Sequence, residues 1–153
     1  MEPIVGCGHL KINKLDKILS FVTPDLALVD SRSVCGIEHL HQAARLSLAA
    51  HNNSYNLSND KSTEVLLYLT AQRQISKALK FAGINGSTKS IGWVSYDNLS
   101  SDFLDIVDKD DSVISVSNFD FSIFAKDIAS KFDNNLKQKI VMTRTATLPT
   151  QTR

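Results

Sequence analysis

The residues from Ser62 to Gly83 constrain the fold more than any other stretch. Leu67, Ala71, Ile75, Ala78 and Ala82 recur at three and four residues, so an α-helix gathers them on one face. Ser62 or Thr63 caps the start of this pattern, and Gly83 is expected to supply a left-handed C-cap. An apolar stripe of this kind has to be covered by another element, and the rest of the sequence offers strands that can do so.

Ile4 to Ile12 reads as a strand whose even positions are Ile4, Gly6, Gly8, Leu10 and Ile12, the small residues implying close approach by a neighbouring element. Lys14 to Val22 follows as a short amphipathic helix, stopped at Thr23 and Pro24. In the second strand, Asp25 to Val34, Leu26 and Leu28 alternate with Ala27 and Val29. Ile37 to about His51 is a helix with Ile37, Leu40, Ala44 and Leu48 on its buried face, and the aperiodic Asn52 to Asp60 is a loop. Thr88 to Tyr96 is a third strand, Asp97 or Asn98 caps a helix carrying Phe103, Leu104 and Val107, and Ser112 to Val116 is a fourth strand. Asp120 to Phe132 places Phe121, Phe124, Ile128 and Phe132 on one helical side, and Asn134 to about Thr147 forms the last helix. This order predicts one α/β domain over residues 1–148, a small mixed sheet of about four strands packed with helices, and a frayed tail over 149–153.

A chain of 153 residues with 42% apolar content is long enough to bury a core without disulfides. Cys7 and Cys35 read as small buried apolar residues in a reducing compartment, and no apolar run reaches the length of a bilayer span, so a cytoplasmic protein is expected. The 17 basic and 16 acidic side chains nearly cancel, which makes whole-molecule attraction to polyanions weak and any nucleic-acid contact local. Seven aspartates between Tyr96 and Asp120 read chiefly as turn and cap residues.

Catalytic chemistry finds little support. Gly6 and Gly8 form a GxG without a third glycine, and no Gly-x-Ser-x-Gly elbow occurs. Cys35, His39 and His41, joined by Cys7 and His9, have the right chemistry for zinc. However, His39 and His41 project about 200° apart on a helix, which favours ordinary surface or capping histidines over a metal site. No cofactor is expected. The segment Gln72-Arg73-Gln74 reads as a contact surface: the amides donate and accept, the guanidinium offers a planar fork, and Lys77 follows Arg73 by one helical step. A solvated helix face is the plainer reading of the same residues.

Arg32, the pair His39-Leu40 opening a helix, Glu64-Val65-Leu66-Leu67-Tyr68-Leu69, Arg73-Gln74-Ile75, Ala78 and Phe81-Ala82-Gly83-Ile84 follow one another in a pattern that resembles the TPRKB, or PRPK-binding, family of small KEOPS regulatory subunits. The resemblance covers residues 25–84. It implies a non-catalytic subunit that binds the N-lobe of the small atypical KEOPS kinase, stimulates its ATPase and helps hold transfer RNA while the complex threonylcarbamoylates an adenosine beside the anticodon. It also implies indirect association with the other KEOPS subunits.

Family members usually carry a glycine just before the arginine, where this chain has Thr70-Ala71-Gln72. Two geometries stay open. If the helix breaks there, Arg73 and Gln74 begin a new helix with exposed amides; if it does not, they lie mid-helix and bind through side chains only. The C-terminal end, Thr143 to Arg153, is less apolar than is typical of the family. On these premises Leu136, Ile140 and Val141, with the preceding Phe-rich helix, are the kinase-facing candidates. Arg32, His39, Arg73, Gln74 and Lys77 are the candidates for the acceptor end of transfer RNA. A competing expectation is a small-molecule-binding regulatory domain or cryptic enzyme with a pocket near the first strand and Cys35.

Overall fold

A computed structural model describes residues 2–120 and 133–148. Four strands, β1 (Ile4–Leu10), β2 (Leu26–Asp30), β3 (Ser90–Ser95) and β4 (Val107–Lys109), form a sheet in the order β2-β3-β1-β4. Six α-helices are seen among the described residues: α1 (Leu15–Leu19), α2 (Ile37–Asn52), α3 (Lys61–Thr70), α4 (Ile75–Ala82), α5 (Ser101–Asp105) and α6 (Asn134–Thr147). The α/β class and the four-stranded sheet are those read from the sequence. All three pairings, however, are antiparallel rather than mixed.

Both faces of the sheet are covered. Alternation sends Cys7, Ala27, Val29 and Val94 to one side, where they meet Leu40, Ala43 and Ala44 of α2 and Val65 to Leu69 of α3. Leu28, Ile91 and Trp93 point the other way and pack with Ile18 of α1, Phe103 of α5 and Ile106. The glycines of β1 do what their size implies. A Cβ on Gly6 would lie 2.6 Å from the Trp93 ring, and one on Gly8 would lie 2.3 Å from the Asp108 carbonyl oxygen. They let an indole and an edge strand close onto β1.

Several boundaries move for identifiable reasons. The second strand ends at Asp30 because its carboxylate accepts from the Arg32 amide and turns Ser31–Ser33 into a 3₁₀ helix. The helix after Asp97 is capped by Ser100, which accepts from the Phe103 amide, and it stops before Val107. Val107 begins the fourth strand, pairing with Leu10. Ser112 to Val116 is not a strand: the Asp110 side chain accepts from the Ser112 amide and hydroxyl and starts a 3₁₀ turn over Asp111–Ile114. Gly83 does not adopt a left-handed conformation, since its φ is −67°. It is required instead because a Cβ there would come within 2.4 Å of the Leu79 carbonyl oxygen. The expected Phe-rich helix over residues 121–132 and the expected tail over 149–153 lie outside the described residues. No described helix is long and apolar enough to cross a membrane.

Candidate functional site

The helix read from Ser62 to Ala82 breaks in two. Ala71 sits in the left-handed region, at φ 52° and ψ 39°, and its amide donates to the Tyr68 carbonyl while the Gln72 amide donates to Leu67. This bond pair is a Schellman ending, which glycine normally completes. Gln74 then takes the N-cap position of α4, so Arg73 and Gln74 stand exposed on a short turn between two helices. The break also rotates α4. Ala78 and Ala82 stay buried, but Ile75, placed by periodicity on the buried stripe, is 42% exposed and Leu79 is 52% exposed.

Arg73, Gln74 and Lys77 share the exposed start of α4, and α4 packs against the Ser31–Ser33 turn that carries Arg32. Arg32 thus lies on an element that packs against α4, although it does not arrive as a free cation. Its Nη2 and Nε donate to the two Asp30 carboxylate oxygens at 3.1 and 3.3 Å, which raises the guanidinium pKa further. Asp30 is buried and also accepts from the Thr88 hydroxyl at 2.9 Å. Neither Asp30 nor Glu64 pairs with Arg73: Asp30 is engaged by Arg32, and Glu64 is fully buried, accepting from the Leu57 and Ser58 amides and the Ser58 hydroxyl. Among the described residues Arg73 makes no ion pair.

His39 does not belong to this surface. It is fully buried and presents no surface in the free chain. Its Nδ1 accepts from the Cys35 amide at 2.9 Å, so Nε2 carries the proton and donates to the Leu69 carbonyl at 3.0 Å. The expected capping role is partly realised, because this bond ties the residues entering α2 to its first turn. The second bond reaches the end of α3, immediately beneath the Ala71 turn. Burial lowers the imidazole pKa to about 4. His39 thus positions the α3–α4 junction from below.

On α6 the three kinase-facing candidates separate. Leu136 is 40% exposed. Ile140, one turn later, is half-buried against the cluster of Cys35, Phe119 and Val141, in which Val141 is fully buried. Val141 belongs to the core, not to a surface, because α6 turns the Val141–Thr145 side toward α2 and α3. Exposed Leu136 and half-buried Ile140 remain accessible on that flank.

Cys7 and Cys35 are both buried and unpaired by disulfide, as read, and burial raises both thiols to about 11, where they stay protonated. The sequence reading missed a groove of about 180 Å³ whose rim includes Leu19, Val22 and Leu79. The available signal was an excess of apolar residues on α4: Ile75, Ala78, Leu79, Phe81 and Ala82 occupy more of the helix circumference than one contact can cover.

A family model described as kinase binding protein CGI-121 matches residues 11–145 of the chain. No curated protein matches it significantly.

Proposed function

The chain belongs to the CGI-121 family of kinase-binding proteins, and from that premise we propose that it is the kinase-regulating subunit of a KEOPS complex, working in the cytoplasm. It acts by binding rather than by turnover. The flank of α6 bearing Leu136 and Ile140 docks on the N-lobe of the small atypical kinase and stimulates its ATPase. The start of α4 receives the acceptor end of transfer RNA for threonylcarbamoyladenosine formation. The observation carrying this reading is the family match, which spans every described element after β1 and reaches the last turn of α6.

The geometry supports the division of labour. Arg73 and Lys77, which make no ion pair among the described residues, offer cations for phosphate, Gln74 adds amide donors and an acceptor, and Ile75 and Leu79 supply apolar surface beside them. Arg32 contributes the guanidinium donors that Asp30 leaves over.

Co-purification of the full chain with the KEOPS kinase, and the kinase's ATPase rate with and without it, test the regulatory role. Association and a raised rate are expected, and a kinase that neither binds nor responds overturns the reading. For the RNA face, Arg73→Ala should lower the salt slope of binding to a single-stranded acceptor end by about 0.7. An unchanged slope removes Arg73 from the contact.

A further inference from the structure

A second cation cluster lies away from α4. Four lysines, Lys11, Lys14, Lys17 and Lys89, line one cavity of about 640 Å³ together with Asn13 and Thr88. The fold forces them together. Ile12 packs into the core beneath the sheet, so its neighbours Lys11 and Asn13 point outward. Lys14, the N-cap of α1, and Lys17, within its first turn, both line the cavity. The Leu10 amide donates to the Lys89 carbonyl at 2.9 Å, which pins the start of β3 against the end of β1.

All four lysines are exposed, and none makes an ion pair among the described residues. No carboxylate among those residues lines the cavity; Asp16 lies on α1 but outside the lining. Thr88 donates its hydroxyl proton to Asp30, whose charge is already paired with Arg32. In a chain whose cations and anions nearly cancel, four unpaired ammonium groups around one concavity is a concentrated positive field. An anion that meets several of them at once gains from all of these charges together.

We propose that this cavity binds a ligand presenting two or more adjacent phosphate groups, either a free polyphosphate compound or consecutive phosphodiesters of an RNA chain. A single carboxylate or sulfate engages one or two ammonium groups; a polyphosphate spans the cavity and neutralises all four. The Thr88 hydroxyl and Asn13 amide add neutral polar contacts at the wall. The site stands independently of the α4 reading, since it shares no residue with it.

The test uses the full chain labelled with ¹⁵N, titrated with tripolyphosphate at low salt. Saturable shifts of the Lys14, Lys17, Thr88 and Lys89 amides are expected. They should be lost in Lys14→Gln/Lys89→Gln and kept in Lys109→Gln/Lys139→Gln, which removes the same charge elsewhere. Absent shifts, or equal loss in the charge-matched control, overturn the proposal. A 5′-hydroxyl RNA oligonucleotide identifies the source. If RNA is the ligand, the cavity double variant lowers the salt slope of its binding by about 1.4; an unchanged slope with tripolyphosphate binding lost assigns the site to free polyphosphates. Should wild-type protein bind no RNA, the α4 reading falls while the tripolyphosphate titration still decides the cavity.

Discussion

Ala71 holds a conformation that its side chain resists. At φ 52° the Cβ of an L-residue crowds the following carbonyl, at a cost of about 1–2 kcal/mol that glycine escapes. Part of that gain is returned as the greater freedom of glycine in the unfolded chain. Ala71→Gly should therefore raise stability by about 1 kcal/mol, or Tm by about 2–4 °C, in thermal melts followed by circular dichroism. A lower Tm would mean that Ala71 does not end α3 in the left-handed form. The same residue explains a limit of sequence reading. Alanine is the best helix former, so local propensity carried the helix through Ala71, and only the missing family glycine hinted at the break.

At the scale of elements, legibility followed the source of each element's stability. α2 runs over Ile37–Asn52, close to its reading, because a long amphipathic period fixes it. Its phase was less legible: Ile37 is exposed, and the buried side runs through His39, Leu40, Ala43, Ala44 and Ser47. A polar residue such as His39 enters a core only where specific partners await it, and periodicity cannot see the Cys35 amide or the Leu69 carbonyl. Short 3₁₀ turns set by single aspartates, as at Asp30 and Asp110, were likewise hidden behind β-forming side chains.

Because His39 joins the start of α2 to the end of α3, its titration is felt by both elements. Its pKa falls from 6.5 in the unfolded chain to about 4 in the folded one, so below pH 6.5 the unfolded state binds a proton the folded state refuses. Stability is full above pH 6.5, declines through that window, and levels off near pH 4, a total loss of order 3 kcal/mol. Asp110, whose pKa is lowered to about 2 by Ser112 and His9, acts in a separate window below the ordinary 3.8. Urea unfolding at pH 7.5, 6 and 5 should show the decline, and His39→Gln should flatten it. An equally steep decline in the variant would place the titrating group elsewhere.

For the molecule as a whole, the question is which apolar residues hold the fold together and which are left for a partner. The sheet takes helices on both faces and closes its own core, so most of the apolar sequence is already used, which is why the fold class was readable and the interfaces were not. An interface residue and a core residue on α6 have the same sequence signature; only their exposure tells Leu136 from Val141. This yields a crossed prediction. Leu136→Asp should leave Tm nearly unchanged, as exposed substitutions stay within about 0.5 kcal/mol, yet weaken kinase binding by about thirtyfold or more, because docking would bury an unpaired carboxylate. Val141→Ala should do the reverse, lowering stability by about 1–3 kcal/mol through a cavity beside Cys35 and Phe119 while the folded protein still binds the kinase. Melting curves and kinase titrations on the two variants check both halves. If Leu136→Asp binds as tightly as the wild type, the kinase docks on another face, and the exposed apolar rim of Leu19, Val22 and Leu79 becomes the surface to mutate next.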